Sequence, residues 1–156
     1  MNIQEYSCLM LLTGIMIFNT ACSQTNSNKT MASLNHTAIY VSDLEKTAAF
    51  YGGVLGLDTI PEPFHDGKHI WYSLAPGVAM HVIEGLNEKQ VHPRNHHTCF
   101  SVASVDSFIE VLKKNNIGWE DRDGAKMKST MRPDGVKQIW FTDPDGYWIE
   151  INDAKE

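Results

Sequence analysis

Between Leu34 and Asp153 short runs of alternating apolar and polar residues are separated by glycine and proline, and twice the alternation gives way to helical spacing. LNHTAIYVS alternates as a half-buried strand does. Ser42-x-x-Glu45 then has the form of a capping box, and Asp43 adds negative charge where a helix start favours it. Leu44, Ala48, Tyr51 and Leu55 follow at helical spacing, and Gly56 supplies a left-handed stop. Gly52 and Gly53 each cost about 1 kcal/mol relative to alanine inside that helix, so its last turn is expected to be loose. Strands are expected at Leu57–Ile60, His69–Leu74 and Val78–Glu84, with breaks at Pro61, Pro63, Asp66-Gly67 and Pro76-Gly77.

The order then repeats. HHTCFSV reads as a strand, Val105, Phe108, Ile109 and Leu112 form a helical stripe, and Trp119–Asp123, Lys137–Asp143 and Tyr147–Asn152 read as three further strands. Asp143-Pro144-Asp145-Gly146 places Pro and Gly where a type I turn wants them, so the last two strands form a hairpin. The second half is longer in the loop from Gly124 to Val136. The pattern predicts an α+β fold, a β-α-β-β-β module written twice, with helices on one face of curved sheets.

The repeat also duplicates side chains that bind metals. His36 and His97 stand 61 residues apart, while His81 and Glu150 stand 69 apart, the same offset as Trp71 and Trp140. Strand side chains alternate between faces. His36 therefore shares a face with Ala38 and Tyr40, His81 with Ala79 and Ile83, His97 with Cys99 and Ser101, and Glu150 with Trp148 and Asn152. The opposite faces are largely aliphatic or aromatic and suit packing on helices; the mixed faces suit the wall of a cleft. His96 points away from His97's face, and His65, His69 and His92 fall in or beside loops, where solvation is expected. Lys126, Lys128 and Arg132 gather in the Gly124–Val136 loop, expected to be a solvated charged loop although it could meet an anionic substrate. Trp71 and Trp140 are expected to pack the sheets; Trp148 and Tyr40, on the faces of Glu150 and His36, are pocket candidates.

Composition narrows the functional classes. A chain of 156 residues with 42% hydrophobic and 21% charged residues is sized for one globular domain. A net charge of −6 without a dense basic run argues against a nucleic-acid binder. Cys8–Phe18 (CLMLLTGIMIF) is an uncharged stretch of signal-peptide length, Thr20 and Ala21 precede Cys22, and a polar segment follows. This resembles a bacterial lipoprotein signal over residues 1–21, with lipid on Cys22 as the membrane link, a flexible tether over 22–33, and the domain at 34–153 outside the cytoplasm. The alternatives are an uncleaved anchor, or a cytoplasmic protein whose translation starts near Met31. Cys99 would then be the lone cysteine of the domain and is expected to be a small core residue.

LNHTAIYVSDLEKTAAFYGGVLGL, NHHTCFSV and FTDPDGYWIEI resemble the vicinal oxygen chelate superfamily, which includes glyoxalase I, fosfomycin-modifying enzymes and extradiol dioxygenases. The resemblance implies one domain of two modules, with a sheet curved around a metal cleft. It implies His36, His81, His97 and Glu150 as ligands of a divalent ion, and such a donor set suits Zn, Ni, Fe, Mn or Co. Glu150 resembles the carboxylate that moves a proton in glyoxalase I, which makes it the general-base candidate. Four ligand positions resemble the glyoxalase type; fosfomycin enzymes and extradiol dioxygenases use three. The implied function is a glyoxalase I-like lyase or isomerase acting on a small oxygenated metabolite, in a homodimer. Tyr40 and Gly85 stand where the bacterial glyoxalase has an Arg and an Asn for glutathione. The alternatives are a binding protein of the bleomycin-resistance type and an extradiol-type dioxygenase.

Overall fold

Strand β1 (His36–Val41) leads into helix α1 (Leu44–Ala48), and β2 (Thr59–Ile60), β3 (His69–Ala75) and β4 (Val78–Glu84) complete the first module. The second repeats it as β5 (His97–Ser101), α2 (Val105–Lys114), β6 (Thr130–Met131), β7 (Lys137–Thr142) and β8 (Trp148–Asn152). The structure, a computed structural model, describes residues 32–88 and 90–155, and the expected signal and Cys22 lie outside them. No described helix is long and apolar enough to cross a membrane.

Each module builds a four-stranded mixed sheet, ordered β1-β4-β3-β2 and β5-β8-β7-β6. In both, the first strand lies parallel to the last, and the registers correspond: His36 pairs with Ala79 as His97 pairs with Trp148. Paired residues share a sheet face, so the expected alternation holds except where the β3–β4 register shifts between Ser73 and Ala75. One face carries Ile39, Val41, Tyr72, Met80 and Val82 in the first sheet, and Ile139, Phe141, Ile149 and Ile151 in the second, all buried in one hydrophobic core. Both helices contribute to it, through Phe50 and Tyr51 after α1 and through Leu112 in α2. Phe141 touches both sides, with ring centroids 6.1 Å from Phe50 and 6.1 Å from Phe108. Ile151, fully buried, anchors this packing. Ile151→Ala is expected to lower stability by about 2–5 kcal/mol, measurable by urea unfolding.

Local details differ from the sequence pattern in three places. Asp43, not Ser42, caps α1: its carboxylate accepts the Lys46 amide at 2.9 Å, while the Ser42 amide donates to Asp145 across the module boundary. The α-helix lasts five residues and continues as a π-helix over Ala49–Val54. Gly52 and Gly53 lie in that wide turn, which gives the expected looseness a specific form, and Gly56 takes the left-handed stop at φ 71°. Third, the strand expected at Trp119–Asp123 is only a bridge from Glu120 to Trp140 and Lys126. The Asp121 carboxylate accepts the amides of Asp123 and Ala125, turning the chain away, and the sixth strand forms inside the expected loop, at Thr130–Met131. The hairpin turn at Asp143–Gly146 forms as expected, with the Gly146 amide donating to the Asp143 carbonyl at 3.1 Å.

That turn also joins the modules. The Tyr51 hydroxyl donates to the Asp143 carboxylate at 3.0 Å, and the Tyr147 hydroxyl bridges the amide and carbonyl of Tyr40. Burial lifts the Asp143 carboxyl above its ordinary value of 3.8, and hydrogen bonds from the Tyr147 amide, the Tyr51 hydroxyl and the Asp145 amide pull it part of the way back. With its folded-state pKa raised, this group's contribution to stability is full below 3.8 and is lost as pH rises through the folded value. Tyr51→Phe is expected to raise the Asp143 pKa further and to cost about 1–3 kcal/mol. Carboxyl NMR titration and urea unfolding measure the two effects.

Candidate functional site

The face opposite the core carries every residue singled out for chemistry. In the first module it holds His36, Ala38 and Tyr40 from β1, His81 from β4, and Trp71 and His69 from β3, since Ala38 and Trp71 both pair with His81 and Ile83 with both Tyr40 and His69. In the second it holds His97 and Cys99 from β5, Trp148, Glu150 and Asn152 from β8, and Trp140 from β7. Parallel pairing of the first and last strands sets each candidate ligand two register positions from its partner, so the two halves superpose in pattern. β1 and β5 lie at sheet edges, and His36 and His97 on them are exposed.

Each ring is oriented. The His97 Nδ1 meets the Arg94 carbonyl at 3.1 Å and therefore carries its proton there, leaving Nε2 as the free lone pair. The His36 Nδ1 meets the Asn35 side-chain oxygen at 2.7 Å, which frees its Nε2 in the same way. His81 is 7% exposed, and its Nε2 is buried without a partner among the described residues. Its ring stacks on Trp71 at 4.5 Å and on Phe64 at 5.5 Å. Burial, then the neighbouring His69 and His36, pushes the His81 pKa below the ordinary histidine value, which favours the neutral ring that a metal needs. Glu150, also 7% exposed, presents Oε2 to His97 Nε2 at 3.4 Å and accepts the Asn152 side-chain amide on Oε1 at 2.9 Å.

The four residues come together as two pairs. His36 and His81 lie 6.3 Å apart between ring centroids, and His97 faces Glu150. Among the described residues no group of three or more His, Cys, Asp or Glu side chains is close enough to hold one ion. The donor types nevertheless fit a divalent metal: free imidazole Nε2 atoms, an orphaned buried ring nitrogen and a carboxylate held by a neighbouring amide.

Several residues read as peripheral have defined partners in the fold. His69 is not a solvated loop residue: its Nδ1 meets Asp66 at 2.8 Å, and its ring lies 5.0 Å from His81. His92 stacks on Tyr147 at 3.8 Å, and its Nε2 is buried. Lys126 reaches back to the buried Glu120, which also pairs with Arg94. Asn152 steadies Glu150, and its place two residues on, on the same strand face, was the only signal for it. His65 is solvated as expected. Cys99 is not a core residue: it is exposed as a residue, with its sulfur partly covered beside Glu150 and Asn152. Burial of the thiol and the adjacent Glu150 charge push its pKa up to about 12. At pH 8 roughly one thiol in ten thousand is then ionised, so alkylation by iodoacetamide is expected to be far slower than that of free cysteine.

Residues 33–151 match the Glyoxalase/Bleomycin resistance protein/Dioxygenase superfamily. The chain is 28% identical over 152 residues to a lactoylglutathione lyase of Schizosaccharomyces pombe, with 79% of this chain and 48% of that protein covered. It is 33% identical over 104 residues to the human mitochondrial methylmalonyl-CoA epimerase, with 60% of this chain and 59% of that protein covered. It thus spans about half the length of these two relatives. The fold matches the fosfomycin resistance protein FosX of Listeria monocytogenes with a TM-score of 0.64 at 24% identity, covering 81% of this chain and 96% of that one. By its matched length, its doubled β-α-β-β-β module and its sheet order, the chain belongs to the Glyoxalase/Bleomycin resistance protein/Dioxygenase superfamily.

Proposed function

We propose that the protein is a metal-dependent lyase or isomerase of the glyoxalase I type, acting on a small oxygenated metabolite. The observation that carries this reading is Glu150: a buried carboxylate with one oxygen held by Asn152 and the other facing His97. His36, His81, His97 and Glu150 would hold a divalent ion, which supplies Lewis-acid polarisation of two neighbouring substrate oxygens. Glu150 would take a proton from a substrate carbon and return it to the adjacent position. Asn152 fixes the carboxylate for that transfer by occupying Oε1, while Oε2 stays on the side of His97. Arg94, through its carbonyl, holds His97 in the tautomer that leaves Nε2 free. Trp148 and Tyr40 line the approach to the two ligand pairs. That two relatives carry the names of a lyase and an epimerase supports proton-transfer chemistry at this site.

Because the candidate ligands stand in two separate pairs, each with one histidine on an exposed edge strand, we infer that two copies of the chain complete the site, His36 and His81 of one meeting His97 and Glu150 of the other. Metal analysis after reconstitution with Zn, Ni, Fe, Mn or Co, beside His81→Ala, tests the reading. One ion per site and weakened binding in the variant support it. A chain that takes up no ion points instead to a binding protein of the bleomycin-resistance type, a reading favoured by the separation of the two pairs. Unchanged affinity in His81→Ala points to three-ligand, dioxygenase-type chemistry. Activity on the hemithioacetal of methylglyoxal and glutathione tests whether glutathione is used despite Tyr40 and Gly85. We also propose that Cys22 tethers the domain to the outer face of a membrane; incorporation of labelled palmitate, lost in Cys22→Ser, is the expected result.

A further inference from the structure

A cavity of about 300 Å³ adjoins the second ligand pair, walled by Trp119, Trp140 and Trp148, with Glu120 and Lys126 on its rim. Trp140 pairs in register with Glu150 and Trp148 with His97, so both indoles stand on the ligand face, and the Trp140 ring lies 4.4 Å from that of His97. A molecule in this cavity would therefore extend directly from the reacting position. The walls suit a flat apolar group, since indole faces bury large area with defined stacking geometry. Trp119 and Trp140 are 4% and 6% exposed, so these walls are held in place by the packing around them.

The rim decides the charge. Glu120 is 5% exposed and pairs with two cations, Arg94 and Lys126. Arg94 is fixed in place: it donates to the carbonyls of Asp121 and Arg122, and its guanidinium lies 4.5 Å over the Trp148 ring. Lys126 is 80% exposed, and Glu120 is its one ion-pair partner among the described residues. Two positive charges against one carboxylate leave one in excess, and the mobile cation is the one free to leave. If Lys126 turns to a ligand anion, Arg94 still neutralises the buried Glu120, so no unpaired charge is left behind.

We propose that this cavity is the subsite for the non-reacting part of the substrate, that it takes a planar apolar group ending in a single negative charge, such as an aryl or conjugated monocarboxylate, and that Lys126 is its specificity residue. The proposal rests on the reading of the ligand face as the reaction site, but ligand binding in the cavity needs no metal.

The test uses protein stripped of metal, with tryptophan fluorescence as the readout and 2-naphthoate and its neutral counterpart 2-naphthamide as probes. Naphthoate is expected to quench the fluorescence and to bind on the order of tenfold more tightly than the amide. Lys126→Met, on an exposed side chain, is expected to remove that difference while leaving amide binding unchanged. Glu120→Gln, which releases Lys126, is expected to tighten naphthoate binding and to steepen its salt dependence. Equal affinity for the two probes, no binding of either, or full naphthoate selectivity in Lys126→Met would overturn the proposal. Metal loading and turnover with no naphthoate binding would overturn the subsite alone. Selective naphthoate binding by a chain that takes up no metal would overturn the catalytic reading and leave the subsite standing.

Discussion

Glu150→Gln is expected to lower turnover by about 10²- to 10⁴-fold, the range that a positioned proton-transfer group contributes. The substitution suits the site because glutamine has nearly the same shape. Its carbonyl oxygen can still accept the Asn152 amide, and its NH₂ can donate to the free Nε2 of His97. The buried packing is therefore kept, while the negative charge and the capacity to take a proton are lost. The measurement is kcat/KM on any substrate the protein turns over, with metal content determined on the same sample, since Glu150 is also proposed as a ligand. Asn152→Ala provides the companion result: a carboxylate no longer held on Oε1 should lose part of the rate. A Glu150→Gln protein that keeps both its metal and its full rate would show that the proton is moved by another group.

The second large effect concerns how the ligand pairs meet. His36→Ala and His97→Ala are each expected to be inactive when pure, because each removes a ligand from every site. Mixed in equal amounts and allowed to exchange subunits, they are expected to regain about a quarter of the wild-type activity. In a twofold dimer with shared sites, half of the dimers are mixed, and each mixed dimer has one site with both pairs intact. If all four ligands come from one chain, mixing restores nothing, because no chain in the mixture has a complete set. The experiment works because His36 and His97 lie on exposed edge strands, where alanine leaves the core untouched.

The internal repeat, seven of the eight strands and the assignment of residues to faces were legible in the sequence, since each rests on a local rule. Side chains alternate with period two along a strand, so His36, His81, His97 and Glu150 had to oppose the apolar faces that form the core. The Asp143–Gly146 turn was equally local, because proline and glycine set its backbone angles. The cap of α1 was harder: Ser42 and Asp43 both suit the position, and the choice fell to Asp43 because Ser42's amide is engaged by Asp145 from the other module.

Tertiary structure alone decided the rest. That the four candidate ligands form two pairs depends on how two sheets are set apart, and no residue spacing encodes that distance. His69 and Phe64 join the surroundings of His81 because β3 pairs antiparallel with β4, which brings distant positions side by side. Lys126 looked like one charge in a solvated loop; the bridge from Glu120 to Trp140 turns that loop back, so a buried carboxylate meets two cations beside a tryptophan-walled cavity. Sequence by itself determined which face each residue occupies, because backbone geometry fixes that within a few residues. Which faces meet, and which charges find one another, was set only by long-range packing of the core.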